Sequence, residues 1–276
     1  MLLSLILTSQ NRFDEINRFV QSLNAQKGID FSMVQLIFVD QGHNRQAFKM
    51  LNPEIELNYI PYKNCSLSEA RNYALDFVKG EYIGFPDDDC WYEEKTLQQV
   101  LEELKAYNGV ICKGTDENGV NTNNFPTQKQ CITLFDHCGA ISYTIFLKFI
   151  RDIKFDENIG VGSKYNLSSG EETDYLIQVI KKIGTQIIFN PEIIVHHPKK
   201  KLGNFNSEIQ KKYGYARGWG YILRKNKYPF SVLFKSFIRP LIGCIGYYIM
   251  LRPHQAKLSY TVLKGRITGY FYQIKK

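Results

Sequence analysis

Three aspartates in succession, Asp87, Asp88 and Asp89, stand directly behind an apolar run in the segment EYIGFPDDDCWY (81–92). Like charges this close repel, and taking them out of water costs several kcal/mol each unless a positive partner joins them. Such a cluster either lies in open solvent as an acidic turn or holds a cation. Along an extended chain alternate side chains point the same way, so Asp87 and Asp89 are expected together and Asp88 opposite. Two adjacent carboxylates make a hard-oxygen site suited to Mg2+ or Mn2+, with phosphate oxygens filling the remaining positions. A further carboxylate, Asp40, ends the apolar run VQLIFVD (34–40). A second acidic group, Glu171, Glu172 and Asp174, lies in SSGEETDYLIQ (168–178). The Ser169-to-Glu172 spacing is that of a capping box, in which Glu172 bonds back to the helix's first backbone N–H. Acidic residues in a first turn also suit the helix dipole.

The elements that must position these residues alternate along the chain. LLSLILT (2–8), VQLIFVD (34–40), ELNYIPY (56–62) and EYIGF (81–85) read as strands, and Asp14 to Ala25 as an amphipathic helix with Ile16, Phe19, Val20 and Leu23 on one face. A helix capped by Ser66 or Ser68 is expected to run to Lys79 and stop at Gly80. Others are expected over 93–107 and 168–184, followed by two short strands, TQIIF and EIIVHH. Continuous apolar strands alternating with helices predict an α/β fold with a mostly parallel sheet covered on both faces. Ligands of such sheets bind outside the carboxyl ends of the strands, where Asp40 and the three aspartates fall. From 109 to 165 the pattern is weaker, and ISYTIFLKFI (141–150) fits either strand or helix.

The 276 residues are 44% hydrophobic and 22% charged, which excludes a disordered chain. The net charge of +8 hides an asymmetry: residues 1–198 hold 18 Lys/Arg against 26 Asp/Glu, and residues 199–276 hold 17 against one. Two domains follow, an acidic body over 1–198 and a basic, aromatic, helical tail over 199–276. A basic tail suits nucleic acid or an anionic membrane. The absence of a recognisable nucleic-acid-binding module favours the membrane. FSVLFKSFIRPLIGCIGYYIML (230–251) is interrupted by Lys235 and Arg239 and contains Pro240, which kinks or ends a helix, so it is expected in a membrane interface rather than across it. The six cysteines form no CxxC pair. The opening MLLSLILTSQNRF has no basic leader or cleavage site and reads as a buried strand, which predicts reduced thiols and a cytoplasmic, peripheral location at the inner membrane face.

CSLSEARNYALDFVKGEYIGFPDDDCWY (65–92) resembles the core of the family 2 glycosyltransferases with the GT-A fold, which pair an S-x-A-R-N-x-A/G-L helix with G-E-Y-I-x-F-x-D-D-D. ILTSQNR (6–12) resembles the family's first nucleotide-binding turn, and SGEETDYLIQ (169–178) its late acidic motif. FPDDDCWY and ARGWGYILRK (216–225) suggest the branch that builds bacterial capsular and surface polysaccharides. The resemblance implies an inverting, metal-dependent transferase moving a sugar, UDP-hexose being the expected donor, to a lipid-linked oligosaccharide. It implies that Thr8, Asn11, Arg12 and Asp40 border the nucleotide, Asp40 accepting from a uracil N–H. Arg71 would add positive charge, Asp88 would border the nucleotide, Asp87 would contact the ribose or metal, and Asp89 would ligate a Mn2+ or Mg2+ ion. Glu172 takes the place of the family's general base, with Glu171 and Asp174 as alternatives. His197, or His196 behind it, would be a further metal contact. Gln41 stands where the family commonly has a second aspartate, and LTSQN lacks the usual proline and tyrosine.

Two other classes compete. A nucleotide-dependent oxidoreductase or phosphohydrolase on a Rossmann-like sheet lacks the GxGxxG expected after the first strand. A non-enzymatic membrane or nucleic-acid adaptor leaves the acidic cluster unexplained.

Overall fold

A computed structural model describes residues 2–199 and 203–274. Its contacts divide the chain into two compact units. The first comprises Met1–Cys65, Glu69–Lys154 and Leu176–Lys200; the second comprises Ser66–Ser68, Phe155–Tyr175 and Lys201–Lys276. The basic tail thus shares its unit with residues 155–175.

In the first unit β1 (Leu3–Ser9) is apolar on both sides, with Leu3, Leu5 and Leu7 on one face and Ile6 on the other, all fully buried. The 3.6-residue spacing of α1 (Phe13–Asn24) turns Ile16, Phe19, Val20 and Leu23 into the core that Leu3, Leu5 and Leu7 share with Val34, Leu36 and Phe38 of β2 (Val34–Asp40). β3 (Glu56–Pro61) pairs with β2, α2 spans Leu67–Leu75, and β4 (Tyr82–Gly84) pairs with β1. β5 (Trp91–Tyr92) leads into α3 (Thr96–Leu104), whose Leu97, Val100 and Leu104 join the same core. The opposite face of β1 and β2 carries two buried polar residues. Gln35 accepts from Ser4 Oγ and the Lys79 backbone N–H, and donates to Asn58 and the Phe77 carbonyl; Ser4 Oγ accepts from Gly80 N–H. Each buried polar atom named here has a partner, the condition under which such groups are tolerated.

The rest of the unit settles the stretch that periodicity left open. β6 (Gly109–Thr115), β7 (Gln130–Cys131) and β8 (Ile145–Lys148) enter the sheet, followed by α4 (Glu171–Ile183), which belongs to this unit from Leu176 onward, and β9 (Ile187–His196). Among the described residues the sheet has nine strands in the order β3-β2-β1-β4-β8-β6-β9-β5, with β7 beside β9. It is mixed rather than mostly parallel, because β8 runs against both β4 and β6, and β5 and β7 run against β9. The two short strands expected after α4 form one, interrupted where its pairing with β6 jumps from Asn190 to Ile194. Pro191, with no N–H to donate, lies inside that irregularity. β1, β2, β3 and β4 run in one direction. The chain moves outward from β1 through β2 to β3, then returns to place β4 on the other side of β1. That reversal is the switch point at which open α/β sheets bind ligands.

In the second unit α5 (Phe205–Lys225) and α7 (Pro253–Tyr270) pack in parallel through glycines. A Cβ on Gly269 would collide with the Arg217 carbonyl, and one on Gly220 with the Arg266 carbonyl, so the backbones approach as only glycine allows. α6 (Phe230–Ile249) corrects the expectation at Pro240: it is an unbroken 20-residue helix, long and apolar enough to cross a membrane by length and composition. Proline at 240 clashes with and frees the carbonyl four residues earlier. That carbonyl, of Ser236, accepts a bond from Arg266 Nη1 of α7. The helix continues because a neighbouring side chain takes up the orphaned group. Phe230, Phe234, Ile242, Ile245, Tyr248 and Ile249 are exposed on α6.

Candidate active site

The carboxyl ends of β1, β2 and β4 converge with the end of β9. β4 stops at Gly84, and the three aspartates follow in a turn closed by the Cys90 N–H to the Asp87 carbonyl, 3.1 Å. Asp87 Oδ1 accepts from Arg71 Nη2 at 3.3 Å and from Ser142 Oγ at 3.0 Å. Arg71 is 1% exposed and lies over the ring of Phe85, so it is a fixed charge. Asp88 points away, accepting from Ser9 Oγ at 2.5 Å and from Arg12 Nη1 at 3.2 Å. Asp89 Oδ2 accepts from the same Arg12 nitrogen at 2.8 Å, and its Oδ1 lies 2.9 Å from His197 Nε2. Arg18 donates to the Asp89 carbonyl at 2.6 Å.

Asp87, Asp89 and His197 each offer a ligand atom, and these atoms lie within 4.8 Å of one another. His197 is the histidine of the pair that reaches the aspartates. His196 instead stacks on Trp91, 5.1 Å between centroids, with Nδ1 2.9 Å from Thr115 Oγ1 and Nε2 3.3 Å from Glu93. Behind His197 the ring of Tyr143 stacks at 4.8 Å, and Nδ1 lies 2.9 Å from the Pro198 carbonyl. A proton held on Nδ1 by that carbonyl leaves Nε2 as the metal-ligating nitrogen. Two carboxylates and an imidazole fit a divalent ion such as Mn2+ or Mg2+. Ser142, Tyr143 and Pro198 were not expected here. Ser142 and Tyr143 lie in the weakly patterned segment, where only long-range pairing reveals them.

The electrostatics follow from burial and partners. Burial pushes the Asp88 carboxyl up to about 6, despite its bonds to Ser9 and Arg12. Burial raises Asp89 too, but His197 and Arg12 more than reverse this and hold it below the usual carboxylate range. Burial lowers His197, yet the bond to Asp89 and the charges of Asp89 and Asp87 outweigh it and leave the imidazole raised. A raised imidazole stabilises the metal-free fold at acidic pH, and that contribution is lost as pH rises through the raised value. A metal must displace the same proton. Mn2+ affinity is therefore expected to climb by up to about tenfold per pH unit until His197 is neutral, then level off. Titrating Mn2+ from pH 6 to pH 8.5 checks this, and a flat profile contradicts it.

Asp40 is 1% exposed and has four donors. Oδ1 takes Gly42 N–H at 2.9 Å and Asn44 Nδ2 at 2.8 Å; Oδ2 takes Asn44 N–H at 2.8 Å and the Tyr59 hydroxyl. Burial and the bond to Asp40 push the Tyr59 hydroxyl up to about 12. A uracil N–H would have to displace one of these donors, so the carboxylate's observed work is to fix the turn 41–44. That turn abuts the end of β1: a Cβ on Gly42 would sit 2.5 Å from the Gln10 carbonyl and against Asn11 Oδ1. Asn11 is exposed, and Thr8 is half-buried at the end of β1. Lined by Asp40, His43, Arg45, Tyr59, Tyr62 and Lys63, among others, is an open cavity of about 710 Å³.

The second unit holds the other acidic group at the start of α4. Glu171 is buried beside Gly160, whose φ of +104° favours glycine and whose Cβ position lies 3.1 Å from the Glu171 carboxyl carbon. Among the described residues Glu172 Oε2 is buried and has no hydrogen-bond partner, so the capping-box bond through that oxygen is not made. Asp174 is committed: it is 1% exposed, with Oδ2 2.8 Å from Lys225 Nζ and Oδ1 2.9 Å from Asn226 Nδ2. Lys225 also binds Asp156 at 2.6 Å. Asp174 thus fastens α4 to the end of α5.

The fold is shared with the Staphylococcus aureus protein TarS 1–349 solved with UDP-GlcNAc (TM-score 0.59, 14% identity, 99% of this chain and 93% of that one). It is also shared with the mannosyltransferase PcManGT of Pyrobaculum calidifontis solved with GDP-Man and Mn2+ (TM-score 0.63, 16% identity, 95% and 74%). By sequence the chain is 29% identical over 126 residues to the minor teichoic acid biosynthesis protein GgaB of Bacillus subtilis, covering 40% of this chain and 14% of that protein. It is 27% identical over 154 residues to the Escherichia coli UDP-Glc:alpha-D-GlcNAc-diphosphoundecaprenol beta-1,3-glucosyltransferase WfaP, covering 53% and 60%. The matched regions span less than two thirds of these relatives. The family model described as glycosyl transferase family 2 matches residues 4–169, more than half of the chain, from the second residue of β1 through the three aspartates and beyond. The chain belongs to glycosyl transferase family 2.

Proposed function

We propose that this protein is an inverting, metal-dependent glycosyltransferase that moves a hexose from a UDP-sugar to a lipid-linked oligosaccharide in bacterial surface-polysaccharide synthesis. The observation that carries the reading is the convergence of Asp87, Asp89 and His197 at the switch point of the sheet. These three would hold a Mn2+ or Mg2+ ion, which when bound supplies Lewis-acid stabilisation of the leaving diphosphate, worth several kcal/mol. Arg71 and Ser142 orient Asp87, and Arg18 anchors the backbone of Asp89. Thr8, Asn11 and the turn held by Asp40 border the nucleotide. Glu172, whose Oε2 is buried with no hydrogen-bond partner among the described residues, takes the proton of the acceptor hydroxyl. That proton lost, the oxygen attacks the anomeric carbon from the face opposite the diphosphate and inverts its configuration. Glu171 is the alternative base.

A UDP-hexose panel offered with a polyprenyl-diphosphate-linked saccharide tests this. A product of inverted anomeric configuration is expected, and a retained one contradicts the assignment. The lipid acceptor suits the tail. The exposed apolar residues of α6 and the basic excess of residues 199–276 together fit an anionic membrane surface at the cytoplasmic face. Binding to phosphatidylglycerol vesicles is expected to weaken with added salt and on Phe234→Ser/Ile245→Ser substitution; equal binding to neutral vesicles contradicts it.

A further inference from the structure

Both oxygens of Asp89 face cationic or protonated nitrogen. Oδ1 meets His197 Nε2 at 2.9 Å, and Oδ2 meets Arg12 Nη1 at 2.8 Å; the same Arg12 nitrogen reaches Asp88 at 3.2 Å. The three arginines around the aspartates are not alike. Arg71 is buried, and Arg18 is pinned between the Asp89 carbonyl and the Trp91 ring, 4.2 Å away. Arg12 leaves the chain at the junction of β1 and α1, its side chain is 48% exposed, and its side-chain ion pairs are with Asp88 and Asp89. It is the most exposed of the three, Arg18 being half-buried and Arg71 buried.

We propose that Arg12 is a placeholder for the divalent ion. Resting on the metal-site reading above, Arg12 neutralises Asp88 and Asp89 while the site holds no ion, so that three adjacent carboxylates are tolerated. An ion held by Asp87, Asp89 and His197 would compete with the guanidinium for the charge of the Asp89 carboxylate, since both are cations. The displaced guanidinium, still tethered to the first turn of α1, turns to the diphosphate oxygens of the donor. Ion and arginine therefore oppose each other on the empty protein and cooperate once the donor is bound.

This gives opposite signs for two affinities of one variant. In Arg12→Gln, Mn2+ alone is expected to bind about three- to tenfold tighter than in the unaltered chain, since a half-exposed ion pair is worth up to about fivefold and the like-charge repulsion adds to it. UDP, titrated at saturating Mn2+, is expected to bind several-fold weaker. Arg12→Lys keeps the charge and is expected to stay near the unaltered chain for Mn2+, which separates charge from shape. The readout is free Mn2+ by electron paramagnetic resonance on the full chain, with circular dichroism to show that each variant is folded. If the unaltered chain binds Mn2+ and Arg12→Gln binds it no tighter, the placeholder is overturned and the metal site stands. If neither chain binds Mn2+, the metal site itself falls and the placeholder with it.

Discussion

Asp89→Ala is expected to lower sugar transfer by about a thousandfold or more while the protein stays folded. The size follows from what is removed: a ligand of the ion that neutralises a departing diphosphate, in a step where each 1.36 kcal/mol is about a factor of ten. Folding is expected to survive for a physical reason. The substitution deletes one of three mutually repelling carboxylates, and Arg12 keeps Asp88 as a partner. Asp87→Ala is a less clean test, because it removes the carboxylate that lies 3.3 Å from the buried Arg71. Removing one partner of a buried pair costs several kcal/mol of stability. Measured turnover together with a circular dichroism spectrum separates lost chemistry from lost fold. Unchanged turnover in Asp89→Ala would remove the metal role from this residue.

Glu172→Gln is the second large effect. The amide keeps the shape and cannot accept the acceptor's proton, so transfer is expected to fall by about 10²- to 10⁴-fold with donor affinity unchanged. An oxygen that is buried with no hydrogen bond is costly in a merely structural glutamate, which is why this position, rather than Asp174, is assigned the proton. Asp174 already bonds Lys225 and Asn226, so an Asp174→Asn change acts on the attachment of α4 to α5. Single-turnover transfer alongside donor titration distinguishes these outcomes. Normal transfer by Glu172→Gln places the base elsewhere, with Glu171 next to be tested.

Much of the frame was legible in the chain because it obeys local periods. The runs at 2–8 and 34–40 alternate between two apolar faces, and Ile16, Phe19, Val20 and Leu23 recur at helical spacing; residues 3–7, 34–40 and these four are buried where those periods put them. Alternation also anticipated that Asp87 and Asp89 would point together and Asp88 away; the first two meet at His197 and Asp88 turns to Ser9, although the aspartates lie in a turn beyond the strand. What was not legible depends on partners far away in sequence. β6 and β8 are recognisable through their pairing with β9 and β4, and the Ser142 bond to Asp87 spans 55 positions. Asp40 reads as a strand-end carboxylate free to accept a base; only the fold reveals four donors already upon it. Pro240 reads as a helix breaker because its remedy, Arg266, lies on another helix.

The most direct measurement is a calorimetric titration of UDP-hexoses into the full chain with Mn2+ and with a chelator, repeated for Asp89→Ala. Tight binding that requires the ion, and vanishes in the variant, is expected if Asp87, Asp89 and His197 clasp a divalent cation against a diphosphate. Equal heat with and without Mn2+, or full binding by Asp89→Ala, would show that these three side chains serve some other end.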